Sequence, residues 1–169
     1  MFHQTRNQFR RPRVWQALHS FFAGTSGRST AAARVPIVAL VVSEQDRSVL
    51  ESISSHQPIE FHFAQSCEDA SNLVRQLSAP VILFDRNWPG TDWRTAVENL
   101  STSPHRACVI LMSGVTDDYL WQELIRRGGY DVLAKPIRAD NVERVIKLAL
   151  SYLNSARKPA VQGLRRVAD

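Results

Sequence analysis

Between residues 36 and 134 the chain alternates five short apolar, largely β-branched runs with longer amphipathic stretches, and no other feature limits its fold as much. The runs are "PIVALVV" from Pro36, "IEFHFAQ" from Ile59, "VILF" from Val81, "RACVILM" from Arg106 and "YDVLA" from Tyr130. The first, third and fourth are apolar at almost every position, the pattern of strands covered on both faces. The second alternates Ile59, Phe61 and Phe63 with Glu60 and His62, so it reads as a strand with one wetter face, at a sheet edge. Between the runs lie helical patterns. In "SEQDRSVLESISSH" Val49, Leu50 and Ile53 share one face, and "CEDASNLVRQLS", "TDWRTAVENL" and "TDDYLWQELIRR" read as three more helices. "RADNVERVIKLALSYL" closes the series, with Val142, Val145, Ile146, Ala149 and Leu153 as its buried stripe. Gly128 and Gly129 are a good stop for the fourth helix, because the residue after a last turn often needs a positive φ. Five strand–helix units in succession predict an α/β fold: a doubly wound parallel five-stranded sheet with right-handed crossovers and helices on both faces.

Composition narrows the function classes. A hydrophobic content of 44% suits a globular core. The longest apolar run, "PIVALVV", falls far short of the ~20 residues needed to cross a bilayer. Cys67 and Cys108 form neither a disulfide framework nor a zinc pattern, and read as small buried residues in a reducing cytoplasm. The net charge of +5 is concentrated at one end: residues 1 to 43 hold six arginines (Arg6, Arg10, Arg11, Arg13, Arg28, Arg34) and no acid. The basic balance therefore belongs to an arm, which weakens the case for nucleic-acid binding by the whole chain.

Three regions follow. Residues 1–35 read as a basic arm and linker, flexible or partly helical, with Val14, Leu18 and Phe21 or Phe22 at helical spacing and small residues in "AGTSGRSTAAAR". An acid-free, arginine-rich start also fits an organellar transit peptide, whereas the apolar core of a secretory signal is missing. Residues 36–154 form the domain. Residues 155–169 form a basic tail too short for a winged helix.

In doubly wound folds the working site lies beyond the carboxyl ends of the strands. Ser43 and Glu44 follow the first strand, and Asp85 follows the third, with Asn87 and Pro89 after it. Ser113 and Gly114 follow the fourth, Lys135 and Pro136 the fifth. Each has an ordinary account when taken singly. An aspartate before a Pro- and Gly-rich turn caps backbone amides, a serine after a strand caps a helix, and Lys-Pro is a turn with a solvated charge. Two acids, a hydroxyl and an ammonium meeting in order at one sheet edge point instead to a shared site.

From about Val35 to Leu153 the sequence resembles the receiver domain of bacterial two-component response regulators, of the single-domain chemotaxis type. The resemblance is carried by "VILFDRNWPG" with its D-x-N-x-P core, by "VILMSG", and above all by "GGYDVLAKPI". It implies a flavodoxin- and CheY-like (βα)5 sheet with strand order 2-1-3-4-5. By position, Asp85 matches the phospho-acceptor, Ser113 the hydroxyl that hydrogen-bonds the phosphoryl group, and Lys135 the lysine that pairs with it. Pro136 would follow a cis peptide bond. Glu44, Asp85 and the backbone carbonyl of Asn87 match positions that hold Mg²⁺. The implied partners are a histidine kinase or phosphotransfer protein as donor, and a downstream protein reading the helix-four, strand-five and helix-five face; no small-molecule substrate is implied. The residue types suit this chemistry. A carboxylate can attack phosphorus to give an acyl phosphate, and the transferring group then needs positioning and charge neutralisation by Mg²⁺ and a lysine.

The chain also departs from the family pattern. Receivers present two adjacent acids after the first strand, and here the pair is Ser43-Glu44, with Asp46 too far along the chain for a simple replacement. Val132 stands where many receivers carry Tyr or Phe. Arg86 and Trp88 are bulky neighbours of Asn87, and Arg86 reads as a solvated surface arginine that could still offer a phosphate a partner. Two functions stay open: a phosphorylatable switch with weakened metal binding, and a phosphorylation-independent pseudo-receiver serving as a protein-interaction module. Residues 1–34 could touch nucleic acid or a membrane surface in either case. Tyr119 and Trp121 are aromatic candidates for a docking or dimer surface, with packing as the alternative.

Rival classes lack their motifs. A flavin or nucleotide binder needs a glycine- or hydroxyl-rich loop after the first strand, yet no glycine occurs between Gly27 and Gly90. Ser113 sits in "MSGV" without the G-x-S-x-G elbow of a hydrolase. His3, His19, His56, His62 and His105 show no metal spacing.

Overall fold

The computed structural model of the chain describes residues 34–102 and 107–157. Five strands and five helices alternate along it: β1 (Val35–Leu40), α1 (Glu44–Ser54), β2 (Ile59–Phe63), α2 (Cys67–Leu77), β3 (Val81–Asp85), α3 (Trp93–Ser101), β4 (Cys108–Ser113), α4 (Asp118–Arg126), β5 (Asp131–Ala134) and α5 (Ala139–Arg157). The strands form one parallel sheet in the order β2-β1-β3-β4-β5. α5 runs to Arg157, past the expected domain end at residue 154. Of the expected arm, Arg34 and Val35 are described, and Val35 opens β1; residues 1–33, with the predicted helical patch around Trp15, and the tail from residue 158 lie outside the described residues.

Successive side chains of a strand point to opposite faces, and here that rule divides the core in two. Ile37, Ala39, Val81, Leu83, Ile110 and Met112 meet Leu50 and Ile53 of α1 and Val142, Val145, Ile146 and Ala149 of α5. Val38, Leu40, Ile82, Phe84, Val109 and Leu111 meet α2, α3 and α4 through Val74, Val97, Leu100 and Leu124, among others. A strand buried on both faces takes a polar residue only at its end. That is why β3 runs apolar from Val81 to Phe84 and changes character at Asp85. β2 lies at an edge, and its Glu60 is exposed as the alternation predicts.

The helix starts are set locally. Ser43, Ser66, Asp92 and Asp117 cap α1, α2, α3 and α4, each accepting a hydrogen bond from a first-turn backbone N–H. At the end of α4 Gly128 takes φ +85°, and a Cβ on Gly129 would collide with Leu124. The two glycines thus turn the chain down from α4 into β5.

Candidate functional site

The carboxyl ends of β1, β3, β4 and β5 open on one edge of the sheet, with Asp85 at the centre. As the last residue of β3 it is fully buried. Its Oδ1 accepts a hydrogen bond from the Asn87 backbone N–H at 3.0 Å, and its Oδ2 a longer one from the Val42 N–H at 3.4 Å. Oδ2 also receives Lys135 Nζ at 2.6 Å. Ser113 closes β4 and pairs in register with Ala134, the residue before Lys135. The Lys135 backbone N–H donates to the Ser113 carbonyl at 2.9 Å, and the Lys135–Pro136 peptide bond is cis. Buried Ser113 Oγ accepts the Val115 N–H at 3.1 Å.

The α1 acid that lies beside Lys135 is Asp46, not Glu44. Lys135 Nζ lies 2.8 Å from Asp46 Oδ2, whereas the Glu44 side chain is 85% exposed and has Arg47 as its ion partner at 3.9 Å. The reason is helix phase. Ser43 is the N-cap, so Glu44 and Asp46 are the first and third helical residues, about 200° apart around the axis. Asp46 falls on the stripe of Leu50 and Ile53, four and seven residues on, which faces the sheet. That spacing is visible in the sequence and would have picked out Asp46. Distance along the chain from the strand end points to Glu44 instead, and hides it.

Charge and burial oppose each other at Lys135. Burial alone would lower the pKa of its ammonium, but the close approach of the Asp46 carboxylate, the hydrogen bond donated to Asp85 and the attraction of both charges outweigh that and leave it raised. One ammonium thus serves two buried carboxylates, and the trio carries a net charge of about −1. Asp46 Oδ2 is buried without an aligned hydrogen bond, although the ammonium stands close by. An oxygen so placed suits a hard cation. Among the described residues no group of three or more His, Cys, Asp or Glu side chains is gathered. Mg²⁺ is usually held by one or two carboxylates and keeps several waters, and Asp46 and Asp85 are two carboxylates brought together on one ammonium.

Arg86 lies closer to this cluster than the sequence suggests. Its backbone N–H donates to the Met112 carbonyl at 2.9 Å, and its Nη1 lies 3.4 Å from Ser113 Oγ. No local pattern joins residues 86 and 113; the pairing of β3 with β4 brings them together. Val132 is partly buried against the core shared by α2, α3 and α4. Tyr119 and Trp121 are exposed on α4 rather than packed.

Comparison with known proteins bears on the fold and the family. The family model of the response regulator receiver domain matches residues 39–147. The regulatory protein AtoC of Escherichia coli is 28% identical over 121 residues, covering 70% of this chain and 26% of AtoC, so the chain spans about a quarter of that relative. The signal receiver domain of an HD domain-containing protein from Pseudomonas fluorescens superposes with a TM-score of 0.66 at 22% identity, over 79% of this chain and 99% of that one. A two-component response regulator from Clostridium difficile gives a TM-score of 0.63 at 17% identity, over 72% and 99%. Receiver domains are signalling switches rather than ordinary enzymes, and they generally hold Mg²⁺ in an acidic pocket. With the strand order, the acid at the end of β3 and a family match across most of the described residues in agreement, this chain belongs to the response regulator receiver domain family.

Proposed function

We propose that Asp85 accepts a phosphoryl group and that the resulting acyl phosphate switches the affinity of the domain for a protein partner. The contact that carries this reading is Lys135 Nζ at 2.6 Å from Asp85 Oδ2, beside a buried serine hydroxyl on the next strand end. An Asp85 oxygen attacks phosphorus, and the donor's leaving group departs with the electron pair of its bond to phosphorus. For a phosphohistidine of a kinase or phosphotransfer protein, that leaving group is the imidazole. Lys135 pairs with the new dianion. The Ser113 hydroxyl turns from accepting the Val115 N–H to donating to a phosphoryl oxygen, which draws the loop after β4 toward the site. A divalent cation held by Asp46, Asp85 and the Asn87 carbonyl would offset the negative charge on the phosphoryl oxygens. The partner would read the face of α4, β5 and α5, where Tyr119, Trp121, Leu148 and Tyr152 are exposed.

One observation favours a second reading, that of a phosphorylation-independent interaction module. The Lys135 ammonium already bridges both carboxylates, and Glu44 points away from them. Acetyl phosphate with Mg²⁺, followed on a phosphate-affinity gel, decides between the two. A retarded band in the wild type that disappears in Asp85→Asn is expected. No retardation, or retardation that survives the substitution, would replace the switch with the module.

A further inference from the structure

The phosphoryl scheme leaves one cation at the site without a role. Arg86 is half-buried, its backbone is tied to the end of β4 through Met112, and its Nη1 lies 3.4 Å from Ser113 Oγ. Its Cζ stands 6.0 Å from the ring centroid of Trp93, itself buried at the start of α3. The guanidinium is thereby directed at the serine side of Asp85, while Lys135 occupies the side facing Asp46.

Charge gives this placement a consequence. Asp46, Asp85 and Lys135 together carry about −1 before any transfer. Phosphorylation replaces the Asp85 carboxylate with a group of about −2, leaving roughly −2 in a site with one lysine already shared between two partners. A planar guanidinium beside the serine can donate to two phosphoryl oxygens at once, which an ammonium cannot do with the same geometry. The ordinary alternative is an arginine that merely packs over Trp93 and solvent, with no part in anion binding.

We propose that Arg86 is a second cationic ligand of the phosphoryl group on Asp85, binding its oxygens on the Ser113 side opposite Lys135. The assignment rests on Asp85 being the acceptor. Loss of a charge-assisted hydrogen bond of this kind should weaken binding of the group about tenfold to a hundredfold.

Beryllofluoride, a tetrahedral stand-in for the phosphoryl group on a carboxylate, measures this directly. The full-length wild type, Arg86→Ala, Arg86→Lys and Asp85→Asn are titrated with it in Mg²⁺ buffer and followed by fluorine NMR. Labelling by acetyl phosphate runs in parallel, and thermal melts of the unliganded proteins test folding. The expected result is binding by the wild type, weakening of about tenfold or more in Arg86→Ala, partial recovery in Arg86→Lys, and no binding in Asp85→Asn. Melting temperatures should be nearly equal across the Arg86 series, which a packing role would not produce. If the wild type binds and both Arg86 variants bind equally well, the Arg86 assignment is overturned and the acceptor reading stands. If the wild type takes neither beryllofluoride nor phosphate, the acceptor reading fails and Arg86 fails with it.

Discussion

At the scale of single residues, the site is a matter of how one ammonium is divided between two carboxylates. Lys135 lies within 2.8 Å of both Asp46 and Asp85, and its raised pKa keeps it charged through the whole neutral range. Its attraction to the acids is therefore fully present at neutral pH and is lost only as pH rises through the folded-state pKa, above the ordinary lysine value. Asp85, Ser113 and Lys135 are legible in the sequence because each ends or follows an apolar run that strand geometry must bury. Asp46 is less so, because a reading along the chain measures separation while the helix arranges residues by angle. A paired substitution separates the two measures. Asp46→Asn should slow phosphorylation by acetyl phosphate in Mg²⁺ about tenfold or more, since it removes one of two carboxylates available to the cation. Glu44→Gln should stay within about twofold of the wild type, because an exposed carboxylate paired only with Arg47 is screened by water. Initial labelling rates of the two variants give the comparison, and the reverse order would make Glu44 the α1 acid on which labelling depends.

Among the elements, the two apolar cores account for most of what a one-dimensional reading recovers. Strand runs and helix stripes have fixed periods, so Val142, Val145, Ile146 and Ala149 can be assigned to the buried face of α5 without knowing what they touch. Contacts between polar groups on different helices have no such period. Buried Glu123 of α4 meets Arg94 of α3 in this way at 3.5 Å, in addition to Arg126 and Arg127, three and four residues on, at 2.9 Å each. Arg127 reaches back to Glu98 of α3 at 3.0 Å. The hydrogen bond from Arg127 holds the Glu123 carboxyl below the usual glutamate range against its burial, with charge attraction from Arg126, Arg127 and Arg94 adding to it. A depressed carboxyl pKa stabilises the fold above the unfolded-state value and loses that effect as pH falls through the folded-state one. Glu123→Gln should therefore lower the melting temperature at neutral pH, because three arginines lose their shared counter-charge. The gap from the wild type should close in acid, below the ordinary glutamate pKa. Melts of both proteins at neutral and acid pH test this, and a gap of constant size would mean that Glu123 contributes shape rather than charge.

For the molecule as a whole, charge is distributed unlike structure. The described domain holds the cores and the candidate site, while all six arginines of the first 43 residues, and none of the chain's acids, come before α1. Removing residues 1–34 takes away those six charges and leaves a chain near −1 in place of +5. Attraction to a polyanion scales with the cations that displace its counterions, so an arm of this composition predicts binding that falls steeply with salt. The full-length chain should bind duplex nucleic acid or anionic vesicles at low ionic strength. The chain lacking residues 1–34 should lose that binding almost completely, while its phosphorylation by acetyl phosphate stays unchanged, since every residue of the candidate site lies from β1 onward. Measuring polyanion binding and labelling on both chains tests whether the one depends on the other. Retained polyanion binding in the shortened chain would move the interaction onto the domain itself, where Arg75, Arg126, Arg138 and Arg144 would be the next cations to substitute.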